Sequence, residues 1–379
     1  MRRRQLWILS IPTAVFCALV VMTQQRIDHV GTVHLPISCR PESEAAFNRA
    51  LSLLHRTRVQ EAGQSAKSSS VGPYALHLPV HILTRLGLWE EPIRVNPVAA
   101  NAALGLSDNL SASMATSSRL HAMDTLVYAY LQCGEERAAE QVLDELQANP
   151  PGTVEDLAEA YAVAAIPVRY ALERSRWAEA AALTLRPLPQ GLTRFPQAAA
   201  VTVFAQALGA ARSGDPEQAR QALERLEALY HVLAITQQDE WALQVEIQHH
   251  VAAAWIARSE RRHREALQQM HTAVFLEDSH NRPAVMPGPL IPTRELLAEL
   301  LLERGHLQQA QQAFETQLRL QPNRINALYG VAHTAEIAGN LPKAAGFYED
   351  LLALRSNSNR DHPHFAQARA FLANINLDR

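Results

Sequence analysis

Near the carboxyl end four pairs of residues repeat at a single interval: Gly305 and Gly339, Leu307 and Leu341, Ala310 and Ala344, and Phe314 and Tyr348 are each 34 residues apart. This periodicity constrains the fold more than any other feature, because a unit so short cannot bury its own apolar face and must stack on a neighbour like itself. Each recurring residue has a readable task. The glycines suit a tight turn, the alanines let two helices cross closely, and the aromatic side chains fill the space between stacked units. Pro322 closes the first unit, where a helix has to stop.

The interval and its residue pattern are those of a tetratricopeptide repeat, a helix-turn-helix unit. The same grammar recurs upstream at looser spacing, pairing Gly134 with Ala139, Ser175 and Trp177 with Ala180, Gly214 with Ala219, and Arg261-Arg262-His263 with Ala266. Successive crossing alanines there lie 39 to 47 residues apart, so helices or turns in the middle have lengthened. Gly87-Leu88-Trp89 supplies one more turn, with Pro92 in place of the alanine in the first turn of a second helix, where proline is tolerated. The expectation is an all-α, tetratricopeptide-like right-handed superhelical solenoid of about six to seven helix pairs after an N-terminal hydrophobic segment. A last helix near 365–374 would cover its open end.

Composition agrees with helices. Only 15 of 379 residues are glycine and 6% are aromatic, while 47% are apolar, enough for a core. The net charge of −3 argues against a broad basic face, so no nucleic-acid partner is expected. Three cysteines, Cys17, Cys39 and Cys133, lack Cys-x-x-Cys spacing and make no metal site by themselves; Cys39 and Cys133 are the pair that could form a disulfide.

Arg2, Arg3 and Arg4 precede an apolar run from Leu6 to Met22. Seventeen helical residues cover about 25 Å, within the lower limit for a bilayer span. Residues 1–23 read as a signal-anchor or a signal peptide. With no evident small-x-small cleavage site, the anchor is the preferred reading. The arginines would stay cytoplasmic, placing the repeats on the extracytoplasmic, periplasmic side; secretion after cleavage is the alternative.

Residues 24–72 read as a linker with one helix at about 42–55 and a bridge containing Ser68-Ser69-Ser70. The repeat domain spans 73–375, with its clearest units at 291–324 and 325–358. It is interrupted at 278–292 by Pro283, Pro287, Pro289 and Pro292, which force an extended crossing. Long connections usually run outside, so this one is expected on the surface rather than in the groove.

Several stretches resemble a family of uncharacterised bacterial tetratricopeptide-repeat proteins: Leu35-Pro36-Ile37-Ser38-Cys39, the run Ala75 to Trp89 with its His77-Leu78-Pro79-Val80-His81 core, His121-Ala122-Met123-Asp124, Pro287-Gly288-Pro289 through Glu295-Leu296, and Pro322 to Ala327 followed by Ala344 and Tyr348. The chain looks like a shortened member, lacking repeats that the family inserts before the His-Leu-Pro-Val-His run. The resemblance implies a solenoid and often an exported location, without implying a reaction.

Candidate partner-binding residues are His77, His81, His121, Asp124, Arg294, Arg324 and Asn326. His77 and His81 are four apart and could share a helix face, although Pro79 weakens that helix. With His121 and Asp124 they could form a two-His, His/Asp metal cluster; histidines that hydrogen-bond between stacked helices are the blander and preferred account. Arg294, and Arg324 with Asn326, could take a partner's carboxylate or bridge neighbouring repeats. No phosphate-binding, dinucleotide, zincin or nucleophile-elbow motif occurs, so no catalytic residue, metal or cofactor is assigned. The expected function is a non-catalytic, membrane-anchored scaffold binding a protein or peptide in its groove. A metal-dependent hydrolase built on the His/Asp cluster and a purely architectural spacer are the alternatives.

Overall fold

Seven turns share one geometry. At Gly87, Gly134, Ser175, Gly214, Arg261, Gly305 and Gly339 the backbone enters the left-handed region, with φ between 54° and 93°. The next residue's N–H then donates back to a carbonyl in the last helical turn, from Leu88 N to Leu83 O (3.0 Å) through to Asn340 N to Ala335 O (2.9 Å). Five residues after six of these turns stands a crossing alanine, Ala139, Ala180, Ala219, Ala266, Ala310 or Ala344, each at 0% exposure. Only a methyl group fits where the two helices of a pair touch.

The protein is described by a computed structural model covering residues 83–94, 112–185, 194–280, 288–354 and 362–377. The chain divides into two units, Met1–Ser65 and Ala66–Arg379, and all described residues belong to the second. The stretches expected as a membrane segment at 6–22 and as a helix at 42–55, and His77 and His81, lie outside them.

After the turn at Gly87, six helix pairs follow among the described residues: α1 (Ala112–Gln132) with α2 (Glu136–Ala148), α3 (Leu157–Glu173) with α4 (Trp177–Ala182), α5 (Pro196–Ser213) with α6 (Pro216–Ile235), α7 (Asp239–Ser259) with α8 (His263–Ser279), α9 (Thr293–Glu303) with α10 (Leu307–Leu320), and α11 (Ile325–Ile337) with α12 (Leu341–Ala353). α13 (Pro363–Leu377) covers the end. First helices stack in a row, α1 on α3, α3 on α5, α5 on α7 and α9 on α11, while each second helix packs on its own partner. The architecture is all-α, with no strand among the described residues.

Burial separates the two rows. α2 buries only Ala139 and Leu146, and α6 buries the stripe Ala219, Ala222, Leu226 and Leu233, leaving the other face wet. In α5, by contrast, every residue from Pro196 to Ala211 is buried, and α3 is nearly as enclosed. Among the described residues, the face beside these two helices is therefore largely covered.

Two things cover that face. The first is the end of the proline-rich crossing, expected on the surface: Leu290 and Ile291 are 4% and 5% exposed and share one apolar core with Tyr161, Phe204 and Val251 of the inner helices. Two adjacent branched apolar side chains gain about 1.5–3 kcal/mol each by burial, which a surface path would forgo. The second is the chain's own far end. Trp89 Nε1 donates to Asn323 O (2.8 Å), Asn323 Nδ2 to Gly87 O (3.1 Å) and Gln321 Nε2 to Thr84 O (3.3 Å), and Phe365 of α13 lies against the Gly134 turn. The first pairs therefore meet the last across the inner face.

Close approach is also needed inside the stack. A Cβ at Gly209 of α5 would lie 2.5 Å from Ala181 N and 2.6 Å from Trp177 O of α4, both backbone atoms. Gly209→Ala is expected to destabilise, because overpacking costs about 1–3 kcal/mol against a helix-propensity gain of about 1 kcal/mol; a lowered urea midpoint checks it. Beside it Arg212 is stacked 3.9 Å from both Trp177 and Trp255 and pairs with Glu299, joining α4, α5, α7 and α9.

Candidate functional site: a buried ionic cluster on the inner face

Arg324, the residue before α11, is wholly buried. An unpaired guanidinium there would be prohibitively costly, so its surroundings are dictated. Its Nε donates to Glu295 Oε1, its Nη2 to Glu295 Oε2 (2.8 Å) and to both oxygens of Glu173 (2.9 and 3.1 Å), and its Nη1 to Tyr128 Oη (2.7 Å). Glu295 belongs to α9, Glu173 to α3 and Tyr128 to α1, so one side chain ties three remote helices. Asn326 Nδ2 donates to Glu173 O (3.3 Å), and Ile325 N to Gln132 Oε1 (3.2 Å).

One turn before Glu173 on α3, Arg169 forms the second half of the cluster. Its Nε meets Asp124 Oδ1 at 2.9 Å, and its Nη1 and Nη2 donate to the carbonyls of Pro289 (3.0 Å) and Gly288 (3.3 Å). Both arginines stay charged: burial opposes the charge, but the facing carboxylates more than restore it. Burial likewise raises the Tyr128 phenol and keeps His121, one turn from Asp124, below the ordinary imidazole range.

Two guanidiniums face three carboxylates, Asp124, Glu173 and Glu295. Burial pushes Glu295 up to about 7, against the pull of Arg324 and with Glu173 and Glu299 adding to the rise. The folded chain therefore holds this proton more tightly than the unfolded chain, whose glutamate titrates near 4.3. Its contribution to stability is complete below the unfolded pKa and is lost as pH rises through about 7. Urea unfolding between pH 5 and pH 8 should show that decline in the wild type and a flatter profile in Glu295→Gln.

Of the expected partner-binding residues, Asp124, Arg324 and Asn326 lie in this cluster with His121 beside it. Arg324 reaches two carboxylates of this same chain and presents no guanidinium to solvent. Arg294 points elsewhere and pairs with Asp278. Asp124 is committed to Arg169, and no group of three His, Cys, Asp or Glu among the described residues is placed to hold a metal. Cys133 is buried beside Trp89 and Tyr128, and burial pushes its thiol up to about 12; Cys39 lies outside the described residues. Among the packing residues, Phe314 lies against Gly330 of the next unit, and Tyr348 donates to Glu336 (2.6 Å) and meets Phe371 of α13.

Sequence reasoning missed Arg169, Glu173 and Tyr128 and gave Glu295 no role of its own. A signal was present in Arg169 and Glu173, charges four apart at the end of the helix Leu157–Glu173, whose only other charge is Glu159 in its first turn. Beside the cluster lies a cavity of about 330 Å³, lined by Arg85, Tyr128, Asp278, Pro289, Leu320 and Gln321 among others.

Left-handed interhelix turns, the alanine five residues beyond, and the stacked first helices define a tetratricopeptide-like helical-repeat fold. No family model matches the sequence, and no curated protein sequence does. Similar solved structures include the APC/C hetero-tetramer Cut9–Hcn1 (16% identity, 88% of this chain and 63% of that one, TM-score 0.31). A tetratricopeptide repeat protein from Parabacteroides merdae is 9% identical over 79% of this chain and 97% of that one, with a TM-score of 0.40. Yeast Tom70 is 12% identical over 76% and 61%, with a TM-score of 0.40. At such distances the fold rests on the geometry of the chain itself.

Proposed function

We propose that the protein is a non-catalytic scaffold, anchored in a membrane through residues 6–22, whose right-handed solenoid lies on the extracytoplasmic side and takes an extended segment of a protein partner on its inner helices. The observation that carries this reading is the path of Gly288–Ile291. A non-helical stretch of chain, bent at Leu290 and Ile291, already lies on the inner row, with two carbonyls held by Arg169 and two apolar side chains buried. Hydrogen bonds to backbone carbonyls would orient a partner segment held in the same way, and side-chain burial would supply affinity.

A photo-crosslinking residue at Arg85 or Leu320, beside the 330 Å³ cavity, should capture a partner chain in native membranes, while one at Arg220 on the outer face of α6 should not. Equal yields at inner and outer positions would sink the reading. Anchoring is tested separately: the full chain should remain in the membrane pellet after an alkaline wash, and a chain lacking residues 1–23 should be released.

The filled inner face favours a second reading, an architectural spacer that joins two envelope components through its ends. Crosslinks confined to the ends would support it.

A further inference from the structure

The Gly288–Ile291 stretch that lies on the inner face is an imperfect occupant. Beneath Gly288–Ile291 the inner helices present Tyr161 from α3, Gln197, Val201 and Phe204 from α5, and Trp241, Gln244 and Gln248 from α7. The α5 and α7 residues recur at three- and four-residue intervals, so a single face of each helix forms this floor. Gln197 is 6% exposed, and its Oε1, like that of Gln248, is buried without a hydrogen-bond donor. A buried acceptor left unmade is costly, and most are paired. The occupant cannot readily supply the donors: Pro289 and Pro292 have no N–H, so the stretch Gly288–Pro292 offers backbone donors only at Gly288, Leu290 and Ile291. Its apolar half fits well, with Leu290 and Ile291 nearly fully buried. Its carbonyl half is also met, by Arg169. What two amide oxygens of the floor, those of Gln197 and Gln248, lack is an N–H donor.

We propose that the floor formed by α3, α5 and α7 is a peptide site held by the protein's own Gly288–Pro292 segment, and that it accepts in exchange an extended partner segment with two adjacent branched apolar residues and backbone N–H groups where this segment has proline. The inference rests on the scaffold reading above and specifies the chemistry of its partner. Arg169 takes two consecutive carbonyls of the incoming chain, the apolar pair replaces Leu290 and Ile291, and the added N–H groups reach the amide oxygens of Gln197 and Gln248. The resident segment competes at the high effective concentration of a tethered ligand, of millimolar order for a short linker. Exchange in the wild type is therefore weak until a ligand makes bonds that the resident cannot.

Two labelled hexapeptides test this with the full chain: Gly-Pro-Leu-Ile-Pro-Thr, the sequence of residues 288–293, and its analogue Gly-Ala-Leu-Ile-Ala-Thr. By fluorescence anisotropy the alanine analogue should bind roughly tenfold more tightly than the proline peptide, the gain from one or two hydrogen bonds. Leu290→Ala/Ile291→Ala, which loosens the resident segment and leaves the floor intact, should bind both peptides at least about tenfold more tightly than the wild type. If that variant fails to fold by circular dichroism, hydrogen exchange of the wild type decides. Saturating analogue should accelerate exchange at the Leu290 and Ile291 amides while those of Gln197 and Gln248 stay protected. A folded variant that binds neither peptide better than the wild type, or analogue binding without faster exchange at Leu290 and Ile291, would overturn the proposal. Crosslinks from Arg85 or Leu320 alongside failed peptide exchange would remove this inference and leave the scaffold reading standing.

Discussion

Arg324→Ala is expected to lower the free energy of unfolding by about 3–5 kcal/mol, the usual cost of removing one partner from a buried ion pair. The size follows from what remains. Glu173 and Glu295, both almost wholly buried, would face each other with their shared cation gone, and Tyr128 and Asn326 would lose the frame that orients them. Because the guanidinium joins α1, α3 and α9 to the start of α11, the loss should fall on the whole inner row and not on one repeat. Urea unfolding followed by circular dichroism measures it. Arg324→Ala/Glu295→Gln should recover part of the loss at pH above the Glu295 titration, where both carboxylates would otherwise be charged and facing each other. A loss below about 1 kcal/mol, the worth of an exposed ion pair, would mean that the cluster is wet.

Gly87→Ala should cost roughly 3 kcal/mol, combining about 1–2 for a side chain in the left-handed region with about 1–3 for overpacking. Gly87 has φ +67°, and an added Cβ would lie 1.9 Å from Pro322 O, a backbone atom unable to step aside. The seam through Trp89, Asn323, Gln321 and Thr84 would part, and exchange at residues 83–94 should rise well above that of α5. Gly305→Ala is the control. Its φ is +75°, but nothing lies within 4 Å of an added Cβ, so it should lose only the backbone share. Equal losses in the two variants would show that the seam contributes no stability.

What was legible in the chain divides along physical lines. Gly305 with Ala310 and Gly339 with Ala344 announced helix pairs because turn and crossing are local: a left-handed residue and a methyl-sized contact five positions later leave a mark wherever they occur. The same mark located the degenerate turns at Ser175 and Arg261, where no glycine stands. Arg324 drew notice only as a charge near a helix start. Its partners lie 151 residues away at Glu173 and 29 away at Glu295.

The helices, their pairing and the order in which they stack are legible along the chain, since each is settled by contacts within one or two repeats. It took the folded chain to bring Gly87 against Pro322, to bury Leu290 and Ile291 at the end of the proline-rich crossing, and to pair the inner guanidiniums with inner carboxylates. The reason is cumulative: small rotations at each repeat interface add up along the solenoid, and where the two ends arrive depends on all of them at once.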